Sequence, residues 1–328
     1  MVNGGLAAMT VEERFAGRAY NSNLSWLSAD FMRLDDGRES SNVEDRRDSS
    51  GGGGGRGGMP LLGGKLGIGS IAIALVASYF LGINPMTVLS MLSGGDISGG
   101  APMVQQGPAK APPKDDTGAR FVSIVLADTE DVWKELFAKS GRQYVDPKLV
   151  LFRGSTPTAC GTGQSAMGPF YCPGDQKVYI DLAFYEEMKA RFNAPGDFAQ
   201  AYVIAHEVGH HVQNLLGVSD KVDQARRRVS EREANALSVR LELQADCFAG
   251  VWGFHANRAR RVLESGDLEE ALNAATAIGD DTLQRNAGRG VSPDSFTHGS
   301  SQQRVRWFRK GMDAGDMKQC DTFAARQL

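Results

Sequence analysis

The sequence carries no surplus of basic charge. Its 36 Lys and Arg stand against 39 Asp and Glu, a formal net charge of −3 over 328 residues. Nucleic acid is thereby excluded as the main partner, because a phosphate backbone is held by a basic stripe. Cysteine is scarce as well. Four cysteines in so long a chain do not make a disulfide scaffold, and no C-x-x-C spacing marks a thiolate metal site. The chain has five histidines, and none lies between His211 and His255. No internal repeat occurs. Glycine is abundant, 40 residues, but clustered, and residues 121–328 carry periodic apolar patterning that excludes a collagen-like or wholly disordered chain.

Residues 1–65 read as a disordered, polar cytoplasmic tail. From Arg38 to Arg47 charge alternates with no apolar face, and residues 51–55 are an unbroken glycine run. Such a stretch buries too little apolar surface to offset its ordering entropy. Two readings of residues 1–31 stay open: a short amphipathic piece around Trp26, Leu27 and Phe31, or an extension ahead of a start at Met32. Residues 66–83 contain no charge and are long enough for one transmembrane helix, near the lower end of about 17–25 residues. Apolar character resumes at 86–92, so the span can extend to 92. The long polar stretch before the run, and the lack of an A-x-A-like site after it, argue against a signal peptide. Arg46, Arg47, Arg56 and Lys65 precede the run, and no Lys or Arg follows before Lys110. The positive-inside rule then places the amino end in the cytoplasm and the carboxyl end outside the bacterial inner membrane. Residues 93–118 read as a flexible Gly/Pro/Ala linker and 119–328 as the folded domain.

That domain is expected to be α+β with a small sheet. Thr129 caps a helix ending at Gly141, with Val132, Trp133, Leu136 and Phe137 as its stripe. Residues 148–152 and 177–181 read as strands, and Asp181 caps the helix that follows. Beyond Asp197 the pattern is helix and loop.

Residues 197–217 form one helix with Asp197 as N-cap and Gly217 just past its end. Within it His206, Glu207 and His210 make H-E-x-x-H. Residues at i and i+4 share a face, so both imidazoles reach one metal ion, and Glu207 leans over its open position as general base. His211 lies off that face and reads as structural. With no histidine close downstream, the third ligand is expected to be a carboxylate on a second helix, residues 219–252. Glu242 and Asp246 sit at i and i+4 there. Glu242 is read as the ligand, and Asp246 as the acceptor for a ligating imidazole N–H. The charged segment from Arg226 to Glu233 reads as a solvated face. Ser300 and Gln303 fit a capping box, which holds His298 just before a helix start.

The run Glu242-Leu243-Gln244-Ala245-Asp246 resembles the E-x-x-A-D motif that follows H-E-x-x-H in gluzincin peptidases. From His298 to Arg304 the sequence is similar to their H-P-x-x-x-x-R element, with Gly299 in place of Pro. The layout, together with YCPGDQKVYIDLAF, resembles the bacterial "putative neutral zinc metallopeptidase" family over residues 33–325. The resemblance implies a zincin-like (minigluzincin-type) domain, with Zn2+ on His206, His210 and Glu242 and Glu207 as base. It further implies His298 near the substrate oxyanion, Arg304 behind the ligands, and the strand 177–181 pairing with an extended peptide substrate. Outside the cytoplasm the cysteines oxidise, Cys160 with Cys172 and Cys247 with Cys320, in preference to ligating metal. The expected activity is hydrolysis of peptide bonds in a peptide or protein substrate by a membrane-anchored enzyme. The alternative is a non-catalytic, zinc-stabilised scaffold at the membrane.

Overall fold

The computed structural model describes residue 32 and residues 37–48, 110–165, 168–192, 196–288 and 290–328. The span expected at 66–83, its extension to 92, and most of the expected tail and linker lie outside these. Among the described residues, no helix is long and apolar enough to cross a membrane.

The fold is mixed α+β, and its central strands are the two that the sequence pattern marks. β2 (Lys148–Phe152) runs parallel to β6 (Lys177–Asp181), with Leu149 opposite Val178 and Leu151 opposite Ile180. Successive side chains point to opposite faces. Leu149, Leu151, Val178 and Ile180 therefore enter the main core, while Val150, Phe152 and Tyr179 form a second cluster with Cys172. β5 (Phe170–Cys172) pairs antiparallel with β6 at one edge. A separate hairpin of β3 (Ser155–Thr158) and β4 (Gly161–Gln164) lies against the smaller cluster. There the Phe170 ring occupies the space that a side chain at Gly163 would need.

The other edge corrects the expected tail. Val43–Asp45 form β1, parallel to β2, so the sheet order is β1-β2-β6-β5. The alternating charges, read as part of a disordered tail, are paired instead. Arg46 meets Glu44, and Arg47 meets Asp45 and Asp116. Residues 37–48 are thus ordered, because distant parts of the chain hold them: β2 pairs with β1, and Asp116 takes Arg47.

The first long helix, α1 (Thr117–Lys139), starts well before Thr129. Asp116 caps it by accepting the Ala119 N–H, whereas Thr129 is buried mid-helix and donates its hydroxyl to Leu126 O at 2.7 Å. Its first turn takes up the end of the expected linker. α2 (Ala183–Phe192) follows β6, with the Asp181 carboxylate accepting the Ala183 N–H as expected. α3 (Asp197–Leu215) has Gly196, not Asp197, at its N-cap; Gly217 follows its end at φ 69°, as expected. The single helix expected over 219–252 is two: α4 (Val218–Arg226) and α5 (Glu231–Arg260). Ser230 and Glu233 form a reciprocal capping box that starts the second. α6 (Asp267–Ala277), α7 (Asp280–Asn286) and α8 (Ser301–Ala314) complete the set, and Ser300 with Gln303 caps α8 as expected.

Helices α3 and α5 pack closely because Gly209 has no side chain: a Cβ there would lie 2.9 Å from the Ala245 carbonyl oxygen. Gly250 and Gly311 serve the α5–α8 crossing in the same way, each facing backbone of the other helix. Both expected disulfides are present, Cys160–Cys172 and Cys247–Cys320. The first ties the hairpin to the sheet edge; the second ties α5 to the chain beyond α8.

Candidate metal centre

The close α3–α5 contact brings His206, His210 and Glu242 together. His206 Nε2 lies 3.2 Å from His210 Nε2 and 3.2 Å from Glu242 Oε2, and His210 Nε2 lies 3.5 Å from that oxygen. Both Nδ1 atoms face acceptors, Asp246 Oδ1 at 2.8 Å and Gln213 Oε1 at 2.9 Å. Each imidazole donates its Nδ1–H there, which leaves Nε2 as the nitrogen that would present a lone pair to a bound metal. Three electron-rich atoms converging in a mostly buried place require a cation between them. Zinc with bonds of about 2.0–2.1 Å in tetrahedral geometry sets its donors roughly 3.3 Å apart, which matches the three spacings. Two imidazoles and a carboxylate are also a known catalytic zinc set.

Electrostatics agree with this arrangement. Burial lowers the pKa of His206, but the Asp246 charge and the hydrogen bonds to Asp246 and Glu242 outweigh it and push it up to about 10. Burial likewise works against His210, yet Glu242 raises it. Glu242 would be raised by burial, and the two imidazoles hold it well below the usual carboxylate range.

Behind the donors stands a buried polar cluster. Arg304 donates Nε to Asp246 Oδ2 at 2.9 Å and Nη2 to Oδ1 at 2.8 Å, and the Tyr202 hydroxyl donates to Oδ1 at 2.6 Å. Burial opposes the Asp246 charge, but Arg304 and His206 bring its pKa down to about 2. Asp246 is thus placed behind His206 as its spacing suggested, and Arg304 as the resemblance implied. Tyr202 and Gln213 were not anticipated, although each was legible as a helical neighbour, four residues before His206 and three after His210. Gln213 in turn donates to Leu241 O at 2.7 Å and to Gln244 at 3.1 Å.

Glu207 is buried beside His206 and lines a cavity of about 630 Å3 that opens over the donors. His298 lines the same cavity from the loop before α8, with its side chain half exposed. Asp280, on α7, organises that loop. Its Oδ2 accepts the N–H groups of Thr297, His298 and Gly299, and its Oδ1 lies 3.2 Å from His298 Nδ1. That hydrogen bond raises the pKa of His298 against its partial burial. No local pattern pointed to Asp280. Gly299 has φ 94°, which proline, fixed near −65°, cannot adopt; the loop therefore has its own geometry and is not a proline element with a glycine substituted.

His211 turns away from the cavity, between Tyr171 OH at 2.9 Å and Val145 O at 2.7 Å. It is fully buried, as a structural residue should be. The strand expected to pair with substrate, 177–181, has no free edge, since β2 and β5 flank it. The edge at the cavity is β5, whose Phe170 and Tyr171 line it.

Fold and site together define an α+β protein with a three-donor metal centre, built on two packed helices and open to a cavity. The chain belongs to the family described as "Putative neutral zinc metallopeptidase", which matches residues 32–323 and implies Zn2+ as cofactor. It is similar to "Uncharacterized protein YpfJ" of Escherichia coli, 54% identical over 293 residues, which cover 89% of this chain and 99% of that protein. It is also similar to "Uncharacterized protein Rv2575" of Mycobacterium tuberculosis, 41% identical over 229 residues, 65% of this chain and 75% of that one. No solved structure matches.

Proposed function

We propose that the protein is a zinc-dependent endopeptidase with a zincin-like domain, held at a membrane by the apolar run 66–83 and working outside the cytoplasm. The observation that carries the reading is the convergence of His206, His210 and Glu242 at the floor of a cavity that Glu207 also lines. Zinc held by His206, His210 and Glu242 would polarise a scissile carbonyl and lower the pKa of its bound water toward neutrality. Glu207 takes the water proton and returns it to the leaving amine. His298, whose pKa the hydrogen bond to Asp280 raises, donates to the carbonyl oxygen as charge develops on it. Asp246 and Gln213 keep both Nε2 atoms aimed at the ion. The β5 edge offers backbone groups to an extended peptide, with Phe170, Tyr171 and Phe184 taking apolar side chains. Two disulfides suit an oxidising compartment.

A zinc-stabilised scaffold would need neither a glutamate beside the donors nor an open coordination position. The discriminating experiment is Glu207→Gln. Zinc content and melting temperature are expected to stay at the wild-type values while peptide cleavage falls by about 10²–10⁴-fold. Cleavage at the wild-type rate would remove Glu207 as base.

A further inference from the structure

The residues on the two sides of the apolar run meet each other. Asp45, ahead of the run, donates its backbone N–H to the carbonyl of Lys110, behind it, at 2.7 Å. Along the β1–β2 pairing, Leu149 N–H donates to Asn42 O at 2.9 Å and Arg46 N–H to Leu151 O at 2.8 Å. Side chains repeat the link. Glu130 on α1, 1% exposed, accepts from Arg38, Ser40 and Asn42. Glu44 receives Lys148 and Lys177, and Arg47 reaches Asp116. Met32 donates its N–H to Asp197 at the start of α3. The apolar core of a bilayer is about 30 Å thick. A single crossing between residues 45 and 110 would put that thickness between two groups that are hydrogen-bonded.

We infer that residues 37–48 and residues 110–328 lie on the same side of the membrane, so that the chain between them begins and ends in one compartment and does not cross the membrane once. Two of the basic residues that suggested a cytoplasmic amino end, Arg46 and Arg47, are held in ion pairs within the folded domain and do not act as a free basic flank. The inference rests on the extracytoplasmic reading only for which compartment this is; that the side is shared follows from the sheet.

The test uses full-length Ser41→Cys and Val145→Cys chains, each adding one thiol at an exposed position on either side of the run. Spheroplasts are treated with a membrane-impermeant maleimide before and after permeabilisation. Both thiols are expected to label at the same stage. Labelling of one before permeabilisation and the other only after would overturn the inference. Because an added thiol can disturb the disulfides, a second measurement avoids cysteine. A protease site is placed within residues 51–55 and cut in detergent. The amino-terminal fragment is expected to stay bound to the rest through native purification, and its release would overturn the inference. Peptide cleavage by the uncut chain is assayed alongside, so a failure of the peptidase reading shows as lost hydrolysis with labelling unchanged.

Discussion

At the residue scale, the chemistry depends on which imidazole nitrogen carries a proton, and carboxamide and carboxylate neighbours decide that. H-E-x-x-H and E-x-x-A-D could be read directly, because their spacings place side chains on single helix faces. Gln213 sits at an equally simple spacing, yet a glutamine has no chemistry of its own to draw notice. Its importance shows only once its amide is seen between His210 and the carbonyl of Leu241. Gln213→Ala is expected to weaken zinc binding by about 10–100-fold, measured by competition with a chromophoric chelator. Gln213→Glu, which keeps an acceptor for the Nδ1–H, should restore much of that loss. An unchanged affinity in both variants would remove Gln213 from the centre. Zinc binding should also release protons at pH 7. His206 without metal is raised to about 10 and so is charged there, and it must lose its proton to ligate. Acidification therefore weakens binding. Calorimetry in buffers of different ionisation enthalpy reads the release, and a buffer-independent enthalpy would contradict it.

At the scale of elements, what brings the donors into range is a missing side chain. Gly209 lies within the motif itself, and its lack of a Cβ lets α3 approach the backbone of α5 at Ala245. Gly209→Ala should force the two helices apart, at a cost of about 1–3 kcal/mol. Thermal unfolding should show the destabilisation, and zinc affinity should fall with it, because the histidines sit on one helix and Glu242 on the other. Full affinity in a folded variant would show that the spacing is not set there. Local signals gave sound starts for β2, β6 and α8, whose alternation and capping box are contained in a few residues. They failed where a competing local signal stood nearby. Thr129 resembles a cap, but Asp116 is the residue whose carboxylate meets a free N–H. The break between α4 and α5 was hidden because helix-forming residues run through it, although Ser230 and Glu233 already spelled a start.

At the scale of the whole molecule, the distant pairings were the least legible. β1 offers only Val43 as an apolar residue and lies about a hundred positions from β2, so nothing in its own pattern marks it as part of a sheet. Asp280 reaches His298 from a separate helix for the same reason. The buried Asp246–Arg304 pair ties α5 to α8, with Tyr202 and His206 joining α3 to it, and sets an acid limit for the fold. Its carboxylate is lowered to about 2 in the folded protein, against about 3.9 in an unfolded chain. The contribution is therefore complete above about pH 4 and is lost as pH falls toward 2. Arg304→Met should flatten that part of the stability–pH curve of the metal-free protein; a curve with the wild-type slope would contradict the coupling.

The account turns on one claim, that a single zinc ion is held where α3 and α5 meet. Metal analysis of the purified full-length protein and of His206→Ala tests it most directly. The expected result is one zinc per chain in the wild type and none in the variant, with both disulfides intact in each. One zinc retained by a folded His206→Ala protein would place the ion elsewhere and contradict the account.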